Sequence, residues 1–112
     1  MYVLSINDYF ITKDNLLGIG MDYYEKCDLS FFTKNDCSES IVKQILYQMC
    51  DALTYVHGTL SMIHRDIKPT NIFVKEYDGS KINVILADFG LAKQAQESSG
   101  NSYAGTPLFM SP

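Results

Sequence analysis

A chain of 112 residues with an apolar share of 46% is at most one domain and has the ordinary composition of a packed protein, which argues against disorder. Its net charge of −4 offers no basic footprint for nucleic acid, and it lacks the run of about 18 apolar residues that a membrane span requires. No basic start precedes a long apolar stretch, so no secretory signal is visible, and Cys27, Cys37 and Cys50 lack metal-type spacing and read as free thiols of a cytoplasmic or nuclear protein.

Residues 3–12 concentrate strand formers (Val3, Leu4, Ile6, Tyr9, Phe10 and Ile11), and Lys13-Asp14-Asn15 supplies a turn before a second apolar run at 16–21. Together they predict an antiparallel hairpin. The polar stretch 22–28 reads as a connector, 29–34 as a short helix and 35–40 as turn-like. From Ile41 the apolar residues Val42, Ile45, Leu46, Met49, Leu53 and Val56 recur at helical spacing, which predicts a long amphipathic helix. Ser38 or Asp36 suits its start and Gly58 its end. Its stripe reads as core rather than as a site.

Residues 63–74 read Ile-His-Arg-Asp-Ile-Lys-Pro-Thr-Asn-Ile-Phe-Val. Pro69 keeps this backbone out of a regular helix, so Asp66, Lys68 and Asn71 fall on a loop between hydrophobic elements. A strand at 72–77, a turn at 78–80 and a strand at 81–87 then lead to a second acidic site, Asp88-Phe89-Gly90. A carboxylate able to accept a proton, an ammonium beside it, and an Asn–Asp pair suited to a hard divalent cation are the parts phosphoryl transfer requires. Alone, Asp-Phe-Gly is only a turn and His-Arg-Asp a common charged triplet; their joint occurrence in this order is what carries information. Residues 94–103 are small and polar, the composition of a flexible loop, and Gly105-Thr106-Pro107-Leu108-Phe109-Met110-Ser111-Pro112 follows.

On these motifs the chain resembles the eukaryotic protein kinases. His64-Arg65-Asp66-x-Lys68-Pro69-x-x-Asn71 matches their catalytic loop, Asp88-Phe89-Gly90 their metal-binding tripeptide, and Gly105-Thr106-Pro107 the end of their activation segment. The resemblance implies an α+β, two-lobe kinase-like fold, incomplete in this chain. Residues 1–112 would form a partial kinase domain, with a small-lobe hairpin at 1–21, a hinge at 22–28 and a large-lobe portion at 29–112. The last would hold the catalytic loop, 63–74, and the activation segment, 88–112. The implied activity is that of a serine/threonine protein kinase using ATP and Mg²⁺ on a protein substrate, with no nucleic-acid or membrane partner.

Roles follow residue by residue from the resemblance. Asp66 is the expected catalytic base, Lys68 the cation facing the transferred phosphoryl, and Thr106 their hydrogen-bonding partner. Asn71 and Asp88 would hold magnesium. Met21 would guard the back of the nucleotide pocket, the backbone of Asp22 and Tyr24 would meet the adenine edge, Phe73 would pack beneath it, and Asp28 would hold the ribose. His64, Phe89 and Ile6 match packing positions between the lobes. Arg65 and Lys93 would bind a phosphate on the loop, with Ser102 its expected carrier ahead of Ser98 and Ser99.

The hinge departs from the usual pattern, with Glu25-Lys26-Cys27 where a glycine pair is frequent. No glycine-rich loop or Val-Ala-x-Lys strand stands among these residues, so a fragment inactive alone is expected. The Gly-Thr-Pro-x-Phe-Met-Ser-Pro ending is similar to the NIMA-related kinases, although Leu108-Phe109 replaces their usual aromatic pair. The alternative is a pseudokinase or docking module that keeps the fold without the chemistry; a small-molecule phosphotransferase fits the loop pattern less well.

Overall fold

A computed structural model describes residues 2–25, 28–33, 37–95 and 104–110. The described residues hold three two-stranded antiparallel sheets and one long helix, which packs against the second strand of the central hairpin. The first sheet joins β1 (Ile6–Ile11) to β2 (Leu17–Met21), with Ile6 opposite Met21 and Ile11 opposite Leu17. The predicted first strand is shorter than expected. Val3 leaves the hairpin and forms a parallel bridge to Leu86, while Leu4 N–H donates to the Leu86 carbonyl at 2.9 Å and Leu86 N–H to the Tyr2 carbonyl at 2.8 Å. Asn15 takes the left-handed conformation that this turn requires, with φ 61°.

Helix α1 (Ser30–Thr33) is a single turn. Helix α2 (Glu39–Thr54) begins at Ser38, whose hydroxyl accepts the Ile41 N–H at 3.4 Å; the competing cap, Asp36, lies outside the described residues. Ile41, Met49 and Ala52 are buried against the sheet, but Val42 and Leu46 face away and are exposed. The apolar stripe is therefore wider than the face this sheet covers. Gly58 does not end the helix either. The chain widens at Tyr55–Thr59 into a π-helical turn, where Leu60 N–H reaches the Tyr55 carbonyl at 3.2 Å, and Val56 is fully buried.

The central hairpin joins β4 (Ile72–Tyr77) to β5 (Ile82–Leu86), with a bulge between Val74 and Glu76. Its alternate residues Ile72, Val74, Ile82, Val84 and Leu86 form the core with Leu29, Ile41, Met49 and Ala52. Each fully buried side chain of this size contributes roughly 1.5–3 kcal/mol. The hairpin tip is tied by Asp78, whose Oδ1 accepts the N–H groups of Ser80 at 2.9 Å and Lys81 at 2.8 Å and the Ser80 hydroxyl at 3.0 Å. These bonds hold its carboxyl below the usual range.

Two features were invisible in the pattern. The outer edge of β5 is bonded by glutamine amides of α2 in place of a neighbouring strand. Gln44 Nε2 donates to the Ser80 carbonyl at 3.0 Å and its Oε1 accepts Ile82 N–H at 3.2 Å. Buried Gln48 repeats this one turn on, reaching the Ile82 carbonyl at 2.7 Å and Val84 N–H at 2.9 Å. The other feature is a ladder between β3 (Met62–Ile63) and β6 (Lys93–Gln94), which clasps the segment after Gly90 to the residues just before His64. Cys37 and Cys50 are free thiols, and no helix among the described residues is long and apolar enough to cross a membrane.

Candidate active site

Asp66, Lys68, Asn71 and Thr106 converge in one hydrogen-bonded cluster. Pro69 opens a single 3₁₀ turn, Pro69–Asn71, which lifts Asn71 back towards Asp66 instead of continuing into a helix. The Asn71 amide nitrogen donates to the Asp66 carbonyl at 2.9 Å and to Asp66 Oδ2 at 3.0 Å. Lys68 Nζ lies 2.8 Å from the same Oδ2 and donates to Thr106 Oγ1 at 2.8 Å. Asp66 Oδ1 accepts the Thr106 hydroxyl at 2.7 Å and the Thr106 N–H at 2.9 Å.

Both carboxylate oxygens thus carry two donors each. The Lys68 ammonium first, then the Thr106 and Asn71 donors, hold the Asp66 carboxyl well below the usual range against the opposing effect of desolvation. Its neighbour His64 is buried, with Nε2 at 2.9 Å from the Ala87 carbonyl and Nδ1 accepting Asp66 N–H at 3.3 Å. Those partners assign the ring proton to Nε2. The His64 ring meets Phe89 edge-on at 4.7 Å, a packing role.

Asp88 is exposed and stands at φ 59°, its Oδ1 accepting Gly90 N–H at 3.2 Å. A left-handed Asp costs on the order of 1 kcal/mol, so the turn at Asp88 is held by its surroundings. Ala87 N–H, bonded to the Asn71 carbonyl at 2.9 Å, ties the Asp88 turn to the Pro69–Asn71 turn. Asn71 spends its amide nitrogen on Asp66, which leaves Oδ1 uncommitted as a second oxygen donor. Two oxygens fit a cation such as Mg²⁺, which keeps water and phosphate oxygens as its other ligands. Among the described residues, no group of three or more His, Cys, Asp or Glu side chains forms a metal cage.

A cavity of about 400 Å³ is lined by Met21, Asp22, Tyr23, Tyr24, Asp28 and Phe73. Five of the residues expected at the nucleotide line it, Met21, Asp22, Tyr24, Asp28 and Phe73, with Tyr23 added; Lys68, Asn71 and Asp88 do not. Tyr24 and Phe73 pack with ring centroids 5.8 Å apart. Desolvation, then the Asp22 carboxylate, raises the Tyr24 phenol above its ordinary value. Asp28 is already engaged: its Oδ1 accepts the Ser30 N–H at 2.8 Å and the Ser30 hydroxyl. Asp22 accepts the Asn7 amide at 2.7 Å, linking the connector to β1. A second cavity, about 520 Å³, runs from Val3 and Met21 to Asp88 and Phe89. A larger one, about 870 Å³ between α2 and the β4–β5 hairpin, touches no predicted site residue.

The protein kinase domain family model matches residues 1–112. The chain belongs to the protein kinase domain family. It is 36% identical to the dual specificity mitogen-activated protein kinase kinase 1 of Dictyostelium discoideum over 115 aligned positions, which cover 99% of this chain and 17% of that protein. Similarity to the serine/threonine-protein kinase Pkn1 of Myxococcus xanthus is 34%, over 82% of the chain and 14% of the relative. The serine/threonine-protein kinase Nek10 of Mus musculus is 45% identical over 67% of the chain and 6% of its own length. The kinase chain thus spans less than a fifth of each of these relatives.

The two predicted phosphate-binding cations sit near the β3–β6 clasp of the kinase chain. Arg65, at φ 67°, donates from Nε to the Leu91 carbonyl at 2.7 Å, and Lys93 lies opposite Ile63. Ser102, with Ser98 and Ser99, lies outside the described residues. Sequence reasoning missed Gln48, although a polar residue at a buried helical position was a usable signal.

Proposed function

We propose that the complete protein is a serine/threonine protein kinase that transfers the γ-phosphoryl of ATP to a protein hydroxyl. The observation that carries this reading is the Asp66–Lys68–Asn71–Thr106 cluster, in a fold that also holds a cavity lined by Met21, Tyr24 and Phe73. Residues 1–21, 22–28 and 29–112 act as small-lobe hairpin, hinge and large-lobe portion. The Asp22 and Tyr24 backbone and the Phe73 ring position the base of ATP, with Asp28 near the ribose. Asn71 and Asp88 hold Mg²⁺, which neutralises charge on the phosphate oxygens when bound.

Asp66 is an acceptor rather than a strong base. With its carboxyl held low, it orients the incoming hydroxyl and takes the proton late, once bonding to phosphorus has made that proton acidic. Lys68 bears on the transferred phosphoryl, and Thr106 holds Asp66 and Lys68 in register. A phosphate on Ser102 would add about −1.5 to −2 charge and order the segment through Arg65 and Lys93. The free thiols fit a cytoplasmic or nuclear setting.

The test is Asp66→Asn against Asp88→Asn in the complete protein. Asp66→Asn should nearly abolish turnover and leave ATP binding intact, while Asp88→Asn should also weaken Mg²⁺-dependent ATP binding. Near-normal turnover in Asp66→Asn would remove Asp66 from the reaction. If the parent binds ATP and magnesium but phosphorylates no protein, the docking-module reading replaces this one.

A further inference from the structure

Thr106 reaches Asp66 across forty residues of sequence, and the residue before it is what permits the approach. Gly105 has φ +123°, a region that side chains rarely enter. A Cβ built there would stand 2.4 Å from the Arg65 carbonyl oxygen and 3.1 Å from Met110 Cε. The methionine tip can move aside. The carbonyl cannot, because its peptide also carries the Asp66 N–H that is bonded to His64 Nδ1 at 3.3 Å. Relief of the clash therefore has two routes: either Thr106 moves off Asp66, or the Arg65–Asp66 peptide turns and takes Asp66 with it.

We propose that Gly105 is a positioning residue, whose missing side chain lets the returning segment seat on the Arg65 carbonyl and deliver both Thr106 donors to Asp66. This rests on the kinase reading above only for its catalytic consequence. The structure also supplies a control. Gly79, at the tip of the β4–β5 hairpin, has φ +97° but nothing within 4 Å of an added Cβ. Gly79→Ala thus carries a similar backbone strain without a clash, far from the cluster.

The experiment compares Gly105→Ala and Gly79→Ala in the complete protein by steady-state kinetics, thermal melting and amide hydrogen exchange. In Gly105→Ala, kcat should fall on the order of 10²-fold, the loss typical of an ångström-scale misplacement, with KM for ATP changed by less than about twofold. Exchange of the Thr106 amide should quicken at least about tenfold as its bond to Asp66 is lost. Gly79→Ala should keep the parental kcat and the parental Thr106 exchange. Unchanged Thr106 exchange in Gly105→Ala would overturn the proposal, and so would global unfolding, which would make Gly105 a stability residue. If the parent has no phosphotransfer activity, the kinase reading fails while Thr106 exchange still decides the role of Gly105.

Discussion

Replacing Gln48 with alanine removes the two bonds that hold the middle of β5. Gln48 is buried, and so are Ile82 and Val84, whose carbonyl and N–H are its partners. Each lost bond is worth about 1 kcal/mol net, and a buried backbone group left unpaired costs about 1–3 kcal/mol. Adding the void left by the shortened side chain, Gln48→Ala should lose on the order of 3–5 kcal/mol, a large part of the roughly 5–15 kcal/mol that holds a domain. Gln44 makes the same pair of bonds at a half-buried position near the hairpin tip, where water can substitute, so Gln44→Ala should lose only about 1–2 kcal/mol. Urea unfolding of the complete protein measures both. Equal losses in the two variants, or a loss below about 1 kcal/mol for Gln48→Ala, would refute the claim that these amides replace a strand at the β5 edge. Gln48→Glu adds a sharper check, because a carboxylate oxygen at 2.7 Å from the Ile82 carbonyl repels it at neutral pH. That variant should recover stability as its carboxyl is protonated.

Other consequences are open to direct measurement. Asp66 and Asp78 both have folded-state carboxyls held below the unfolded value of about 3.9, so their stabilisation is fully present above that pH. It should be lost as pH falls through the folded values, and Asp78→Asn should flatten part of that acid limb in pH-dependent melts. Thr106→Val removes one donor from Asp66 and should raise its carboxyl pKa, read by carbon-detected NMR titration. Activation should fail in Ser102→Ala and survive in Ser98→Ala and Ser99→Ala; full activation of Ser102→Ala, checked by phosphosite mapping, removes Ser102 from the switch. Purified residues 1–112 should self-associate and bind hydrophobic dyes, since Tyr9, Leu16, Leu46 and Tyr47 expose apolar surface, and a sharp monomeric melt would contradict this.

How much of this protein was legible in its sequence follows from the separation of the groups in contact. Asp66, Lys68 and Asn71 interact within five residues, and the 3₁₀ turn started by Pro69 is enough to bring them together. Strand alternation likewise placed the β4–β5 hairpin within a residue of its ends, because the same short turn joins both strands. Thr106 was reachable only through the resemblance, since nothing local signals a bond to Asp66 across forty residues. The bonds from α2 to β5 had no such aid. Gln44 and Gln48 interrupt an apolar stripe, and their partners lie more than thirty residues away.

The helix pattern gave the element and its Ser38 cap but not the width of its buried face or its end. Periodicity says which residues are apolar, not how wide a face the neighbouring elements cover. Ile41 and Met49 meet β5, while Val42 and Leu46 point outward from the same stripe. At the helix end, Gly58 looked like a stop signal, yet the backbone kept a helical twist through Thr59 in a wider π turn. Burial of Val56 decides that outcome: ending the helix earlier would leave this side chain outside the packed interior it now fills. That same turn sets where β3 begins, and β3 delivers His64, Arg65 and Asp66 to the site. The site is thus readable as a list of residues from one short stretch, but its geometry depends on contacts made by α2, by the π turn and by Gly105. Substitutions at Gln48, Val56 and Gly105 should therefore reach the Asp66 cluster although none of these residues bonds to Asp66.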